Sequence, residues 1–283
     1  MQTETMPMNS EEEYSWQQDF ELDLFVQAIR KSIGVDLANY AKASLRRRVQ
    51  QLVYKQNVSF ISELLPPIIH DVTFAQFIIN ELTVNVSELF RNPDVFASLL
   101  KNVFPVLASY SRIDIWVAGC SCGEEAYSLV ILLDEAGLLE RTQIHATDIN
   151  IDALCIANSG LLQRPLDRNT AQRYRMAGGN KSLANYFSSA YKETKLSERL
   201  LKHVSFNQHD LTQEQGFTSP QLIMCRNVMI YFNQTLQDKV LASFYANLIP
   251  NGFLVIGPKE SLGQSLIANK LEIIDKDNRI YKR

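Results

Sequence analysis

No lysine followed by serine or threonine comes after the glycine turn at Gly119–Gly123, so the chain has no P-loop, and the Gly119-x-x-x-Gly123 spacing is not the G-x-G-x-x-G of a dinucleotide fold. Cysteine is scarce. Cys120, Cys122, Cys155 and Cys225 make no Cys-x-x-Cys pair and have no histidine at ligand spacing, which argues against zinc or a disulfide framework. They are expected to be reduced and mostly buried, with no metal bound. No apolar run approaches the ~20 residues of a membrane span, and no basic segment followed by an apolar one forms a leader. A cytoplasmic protein without membrane insertion is the expectation. Charge of one sign is also missing: 28 basic against 31 acidic side chains leave a net charge of −3. That balance gives no global basic field for nucleic acid, so any basic surface is local. Repeats and low-complexity stretches are absent, and nothing requires a dimer.

The 283 residues suffice for one large domain or two modest ones. Residues 1–18 are polar and acidic and are expected to form a mobile tail. Helical periodicity then predicts helices over 20–33, ended by Gly34, and over 38–55, 59–65 and 71–82, with Pro66-Pro67 as a turn. The second of these gathers Lys42, Arg46 and Arg47 on one side, with Arg48 beside them, opposite Ala41, Leu45, Val49 and Leu52. Such a face is either a solvated helix surface or a dock for an acidic helix of a partner. We place the helical domain at 19–90 and a second domain at 91–283. The crossing stretch, ELTVNVSELFRNPDVF, mixes Asn85, Ser87 and Arg91 with apolar anchors and is suited to lie over a ligand.

From Ile113 strands and helices alternate, the pattern of an α/β fold with a mostly parallel sheet. Ile113, Ile115 and Val117 alternate with Asp114 and Trp116 and reach the small pair Ala118-Gly119, and Gly119 and Gly123 are expected to let backbone N–H groups approach a bound cofactor closely. A helix starting at Glu124 and Glu125 should come next, since acids suit a helix N-terminus. The next strand ends in Asp148, an acid placed to accept both ribose hydroxyls of an adenosine. Strands at 204–211 and 221–225 bring Asp210, where an adenine amino group can be met, and Asn227 to the same sheet edge as Gly119. Two carboxylates at the helix start repel a pyrophosphate, whereas Glu124 can hold an ammonium or oppose a sulfonium. The pattern favours S-adenosyl-L-methionine over NAD. Residues 161–201 break the rhythm and are expected to hold a helix and a small inserted hairpin; a helix at 234–248, a strand at 252–257 and a hairpin at 271–282 finish the domain.

The segments LTVNVSELFR, IWVAGCSCGEEAYSL, ATDIN, FNQHDL and CRNVMIYF resemble the CheR-type chemotaxis receptor glutamate O-methyltransferases, over about residue 20 to the last residue. The resemblance implies a Rossmann-like S-adenosylmethionine methyltransferase sheet with an all-α N-terminal domain and a small inserted β-subdomain. It implies that Asn85, Ser87, Arg91, Glu124, Asp148, Asp210, Leu211, Arg226 and Asn227 contact the cofactor, and that Arg91 and Tyr231 flank the methyl group. It further implies γ-glutamyl methyl ester formation on the cytoplasmic helical region of a methyl-accepting receptor, with S-adenosyl-L-homocysteine as the product. Ser87 stands where the family commonly has threonine, Leu89 for phenylalanine, Cys122 for threonine and Ala126 for proline, while Lys259 replaces a small polar residue before Glu260. An ionised carboxylate is already a nucleophile at neutral pH, so orientation by Arg91 and the Tyr231 hydroxyl is the main task. Two alternatives are a non-catalytic cofactor-binding signalling module and, ranked lower, a NAD-dependent oxidoreductase.

Overall fold

The structure is a computed structural model that describes residues 10–83, 87–190, 193–213, 219–263 and 265–283. It divides into two compact units, Met1–Thr83 and Val84–Arg283. The division falls a few residues before the boundary expected at residue 91.

The first unit is helical: α1 (Ser10–Ile33), α2 (Lys42–Lys55), α3 (Leu65–His70) and α4 (Val72–Leu82), with a 3₁₀ turn at Ile61–Leu64. Helix α1 begins inside the stretch expected to be a mobile tail. The run SEEEYSWQQ holds no glycine or proline, and its glutamates suit a helix N-terminus. Leu22, Phe25 and Ile29 form its buried stripe, whereas Phe20, at the start of the expected helix, is 55% exposed. They pack in a unit whose other buried side chains include Val49 and Leu52 of α2, Ile68 of α3 and Ile78 of α4. Pro66 and Pro67 open α3 instead of forming a free turn. In a first turn, proline's missing N–H would have had no partner anyway. Asp71 caps α4, its carboxylate accepting from Thr73 N at 2.8 Å and Phe74 N at 3.2 Å.

The second unit starts with α5 (Pro93–Ser98), a π-helical turn at Leu99–Val103 and α6 (Phe104–Leu107). Then come β1 (Ile113–Ala118), α7 (Glu124–Glu135), β2 (Thr142–Asp148) and α8 (Ile151–Ser159). The inserted segment holds α9 (Arg168–Met176), β3 (Phe187–Ala190) and β4 (Glu193–Leu196), followed by α10 (Glu198–Leu201). The chain returns through β5 (Val204–Gln208), β6 (Leu222–Cys225), α11 (Gln234–Asn247), β7 (Phe253–Ile256), β8 (Glu272–Asp275) and β9 (Ile280–Lys282).

Seven strands form one sheet in the order β5-β2-β1-β6-β7-β9-β8. The first five run parallel, and β9 pairs antiparallel with both β7 and β8. Every residue of β6 and β7 is buried, the continuous apolar run of a strand covered on both faces. β3 and β4 make the separate antiparallel hairpin expected in the insert. Glu135, in the last turn of α7, ties the insert down by accepting from the Tyr174 and Tyr186 hydroxyls and from Asn180 N at 3.0 Å. In this topology the carboxyl ends of β1, β2, β5 and β6 share one edge, where an open α/β sheet binds its ligand.

Candidate functional site

At the tip of β1, Gly119 N and Cys120 N both donate to the Thr147 carbonyl, at 2.7 and 2.9 Å. The turn is thereby fastened to β2. Gly119 has φ +78°, and a Cβ there would stand 2.2 Å from Val228 Cγ2. The close approach that requires glycine is therefore that of the loop after β6; the sequence had suggested a ligand. Gly123, at φ +93°, precedes α7, and a Cβ on it would meet the Tyr127 ring at 2.8 Å.

Asp148 closes β2. Its Oδ2 accepts from Ser121 N at 2.8 Å and its Oδ1 from Asn150 N at 3.0 Å, so the carboxylate is braced against the turn. Burial pushes its pKa up, and the backbone donors from Asn150 and Ser121 counter only part of that. The Asp148 carbonyl accepts from His209 N at 2.9 Å, which sets the residues after β5 beside it. There Asp210 Oδ1 accepts from Thr212 N at 2.8 Å, whereas Oδ2 is buried with no partner among the described residues. Leu211 is half-buried next to it.

Glu124 begins α7 and is only 4% exposed. Burial raises its pKa, opposed by hydrogen bonds from the Ser87 hydroxyl and the Gln163 backbone and by Arg164. Its Oε2 is buried and unpaired among the described residues. Ser87 and Glu124 line one cavity of 170 Å³. An orphaned buried acceptor costs about 1–3 kcal/mol, so two such oxygens, on Glu124 and Asp210, are the mark of a site built for a ligand with donors.

The residues after β6 are held in another way. The Arg226 side chain is fully buried, and its guanidinium donates to Glu125 Oε2 at 2.7 Å, the Arg91 carbonyl at 3.0 Å and Asn92 Oδ1 at 2.9 Å. Arg226 thus fixes the main chain that carries Arg91. Phe90 and Asn92, on either side of Arg91, both have positive φ, at 54° and 55°. Phe90 N also donates to Ser128 Oγ at 2.8 Å. Such backbone strain persists only where surrounding contacts over-determine it. Asn227 has φ +61°. Its N–H and those of Val228 and Ile230 reach the Glu260 carboxylate at 3.1, 2.9 and 3.3 Å. Glu260, in the segment after β7, thereby anchors the loop leading to Tyr231, which sits half-buried in the 3₁₀ turn Met229–Tyr231.

The sheet edge therefore gathers Gly119, Asp148 and Asp210, Glu124 shares a cavity with Ser87, and Arg226 is tied to the Arg91 main chain. Asn85 lies outside the described residues. In the helical unit, Lys42 Nζ lies 3.2 Å from Asp19 Oδ2 and Arg46 pairs with Asp19 Oδ1, while Arg47 is exposed. Half of the expected basic face is thus engaged by α1. Two residues escape the sequence reading: Glu125, taken there for a helix-dipole charge, and Glu260. Neither carries a local signal, because Glu125 meets Arg226 and Glu260 meets the loop at Asn227, both far along the chain. Among the described residues no group of three or more His, Cys, Asp or Glu is placed to hold a metal, and burial pushes the Cys120 and Cys225 thiols well up.

Buried, unpaired carboxylate oxygens near the carboxyl edge of a mostly parallel sheet mark a place where an open α/β fold takes a ligand, and the family comparisons make the class that of an S-adenosylmethionine-dependent methyltransferase. Residues 85–277 match the CheR methyltransferase SAM-binding domain and residues 21–83 the CheR methyltransferase all-alpha domain. The chain belongs to the CheR methyltransferase family. It is 39% identical to Cher3 of Pseudomonas putida, named as a methyltransferase, over 94% of this chain and 97% of that one. It is 30% identical to the chemotaxis protein methyltransferase of Listeria monocytogenes, over 84% of this chain and 88% of the relative. Chemotaxis protein methyltransferase 1 of Vibrio cholerae is 28% identical, over 88% and 91%. The NAD-dependent alternative falls with this assignment. Among the described residues no helix is long and apolar enough to cross a membrane.

Proposed function

We propose that the protein forms γ-glutamyl methyl esters on glutamate side chains in the cytoplasmic helical region of a methyl-accepting receptor, and that it acts in the cytoplasm. The observation that carries this reading is the pair of buried, unpaired carboxylate oxygens on Glu124 and Asp210, acceptors matched to the two donor-bearing ends of S-adenosyl-L-methionine. That cofactor supplies an electrophilic methyl group on a sulfonium, and S-adenosyl-L-homocysteine is what remains. Glu124 takes the ammonium, Asp148 the ribose hydroxyls and Asp210 the adenine amino group. Ser87, Leu211 and Asn227 line the same ligand, and Asn85 joins them by the family resemblance. Arg226 acts from behind, holding the Arg91 main chain. Arg91 and the Tyr231 hydroxyl orient the incoming carboxylate, which attacks as the anion and needs no general base. Names carried by the Listeria and Vibrio relatives support the chemotaxis setting. Incubation with tritiated S-adenosylmethionine and a receptor cytoplasmic fragment should label the fragment, and mild base should release the label as volatile methanol. Cofactor binding without base-labile label would favour the non-catalytic module.

A further inference from the structure

The cavity of 170 Å³ that holds Ser87 and Glu124 is also lined by Glu88, Arg164 and Arg173. Glu124 is the deep wall, with its unpaired Oε2; Arg164 is at the rim, its side chain 70% exposed. The two cations differ in what they have left to give. Arg173 donates from Nε to the Leu89 carbonyl at 3.0 Å and from Nη2 to Thr170 Oγ1 at 3.1 Å, with Nη1 3.8 Å from Glu88. Arg164 makes one ion pair among the described residues, to Glu88 at 3.5 Å, a long and exposed contact of the kind that contributes little. Four of its five N–H donors are outside that contact.

We propose that this cavity is the subsite for the cofactor's α-amino acid end and that Arg164 binds its carboxylate while Glu124 binds its ammonium. The inference rests on the cofactor placement given above and adds the residue that reads the carboxylate. The two groups hang from one carbon, so an ammonium on Glu124 brings the carboxylate into the same cavity. Beside Glu124 and Glu88 an unmatched carboxylate would be repelled, and an exposed guanidinium with donors outside its one ion pair answers it by bidentate pairing. Glu88 then serves to hold Arg164 over the empty cavity. Arg91 is left for the acceptor glutamate.

Calorimetry on the full chain with three ligands tests this: S-adenosylmethionine, its decarboxylated analogue, which keeps the amine, and methylthioadenosine, which lacks both groups. The unaltered protein should lose about tenfold in affinity when the carboxylate is removed. Arg164→Ala should bind the first two ligands alike, at the unaltered protein's affinity for the decarboxylated analogue, and should bind methylthioadenosine as the unaltered protein does, which also reports that the fold is intact. Arg164→Lys should recover part of the discrimination. An Arg164→Ala protein that still prefers the carboxylate as strongly as the unaltered one overturns the proposal. Failure of the unaltered protein to bind any of the three would overturn the cofactor placement itself.

Discussion

Arg226 Nη1 and Glu125 Oε2 meet at 2.7 Å, with the arginine side chain fully shielded from solvent. The pair joins the first turn of α7 to the end of β6, and through Nη2 it extends to the Arg91 carbonyl and Asn92 Oδ1. Breaking one half of a buried ion pair strands the other charge, at a cost of about 3–5 kcal/mol. Arg226→Ala should therefore lower unfolding free energy by about that much in urea titrations and should release the strained Phe90–Asn92 segment. Arg226→Lys should recover charge but not the three-way fork, and so only part of the stability. A variant as stable as the unaltered chain would show that the segment is held by something else.

Glu260 makes a comparable anchor with backbone partners only. Its carboxylate takes N–H groups from Asn227, Val228 and Ile230, and Gly257 N at 2.5 Å. Glu260→Ala strands these donors in a buried place, and a loss of at least ~2–3 kcal/mol is expected. Because the loop leads to Tyr231, the rate of methyl transfer at saturating cofactor should fall further than cofactor affinity does. Equal losses in both would mean that the loop serves the cofactor alone.

Gly119 separates two costs that are usually confounded. Its φ of +78° penalises any side chain, and a Cβ would also collide with Val228 Cγ2 at 2.2 Å. Gly119→Ala should destabilise by more than the ~1–2 kcal/mol of the left-handed conformation alone. Adding Val228→Ala removes the collision but not the dihedral strain, so the double variant should lie between the single Gly119→Ala protein and the unaltered one once the cost of Val228→Ala alone is subtracted. Additive effects in the four-member cycle would contradict the contact.

Burial raises the pKa of Glu124, and the hydrogen bonds from Ser87 and Gln163 offset it only in part. The folded chain therefore holds this proton to higher pH than the unfolded chain. Its contribution to stability is present below the unfolded pKa and is lost as pH rises through the raised folded value. A bound ammonium has the opposite preference, for the ionised form. Cofactor affinity should thus climb with pH through that window and level off above it. Asp148 is raised for the same reason, so the informative quantity is the difference between the unaltered protein and Glu124→Gln. Calorimetry in both should give weaker binding and a shallower pH dependence in the variant; parallel profiles would place the titration elsewhere.

Much of this is legible in the sequence where the signal is local. The alternation of Ile113, Ile115 and Val117 before two small residues gives β1 and its turn, and the acids at 124 and 125 give the start of α7. The unbroken apolar runs of β6 and β7 read equally well as buried strands. The features that escape depend on partners far along the chain. Glu125 meets a residue 101 positions away and Glu260 one 33 positions away, and neither carries a local pattern that distinguishes it from a surface acid. The early start of α1 escapes for another reason: a polar, acidic run without glycine or proline reads as tail or as helix according to whether the residues C-terminal to it continue a helix.

The basic face of α2 shows how such a distant partner changes a functional expectation. Asp19 of α1 pairs with both Lys42 and Arg46, one carboxylate shared between two cations, and Arg48 Nη1 donates to the Leu82 carbonyl at 2.7 Å. Arg47 is exposed and, among the described residues, lies outside these contacts, which makes it the clearest cation of the face for an acidic helix. If α2 docks the receptor, Arg47→Glu should lower kcat/KM for a receptor fragment by ~3- to 10-fold, with the effect shrinking as salt rises, while cofactor affinity stays the same. Asp19→Asn should act in the opposite direction, because it frees Lys42 and Arg46 for the partner. Steady-state methyl transfer at low and physiological ionic strength measures both. Two variants with unaltered kcat/KM at low salt would take α2 out of receptor recognition and leave its charges as a solvated surface.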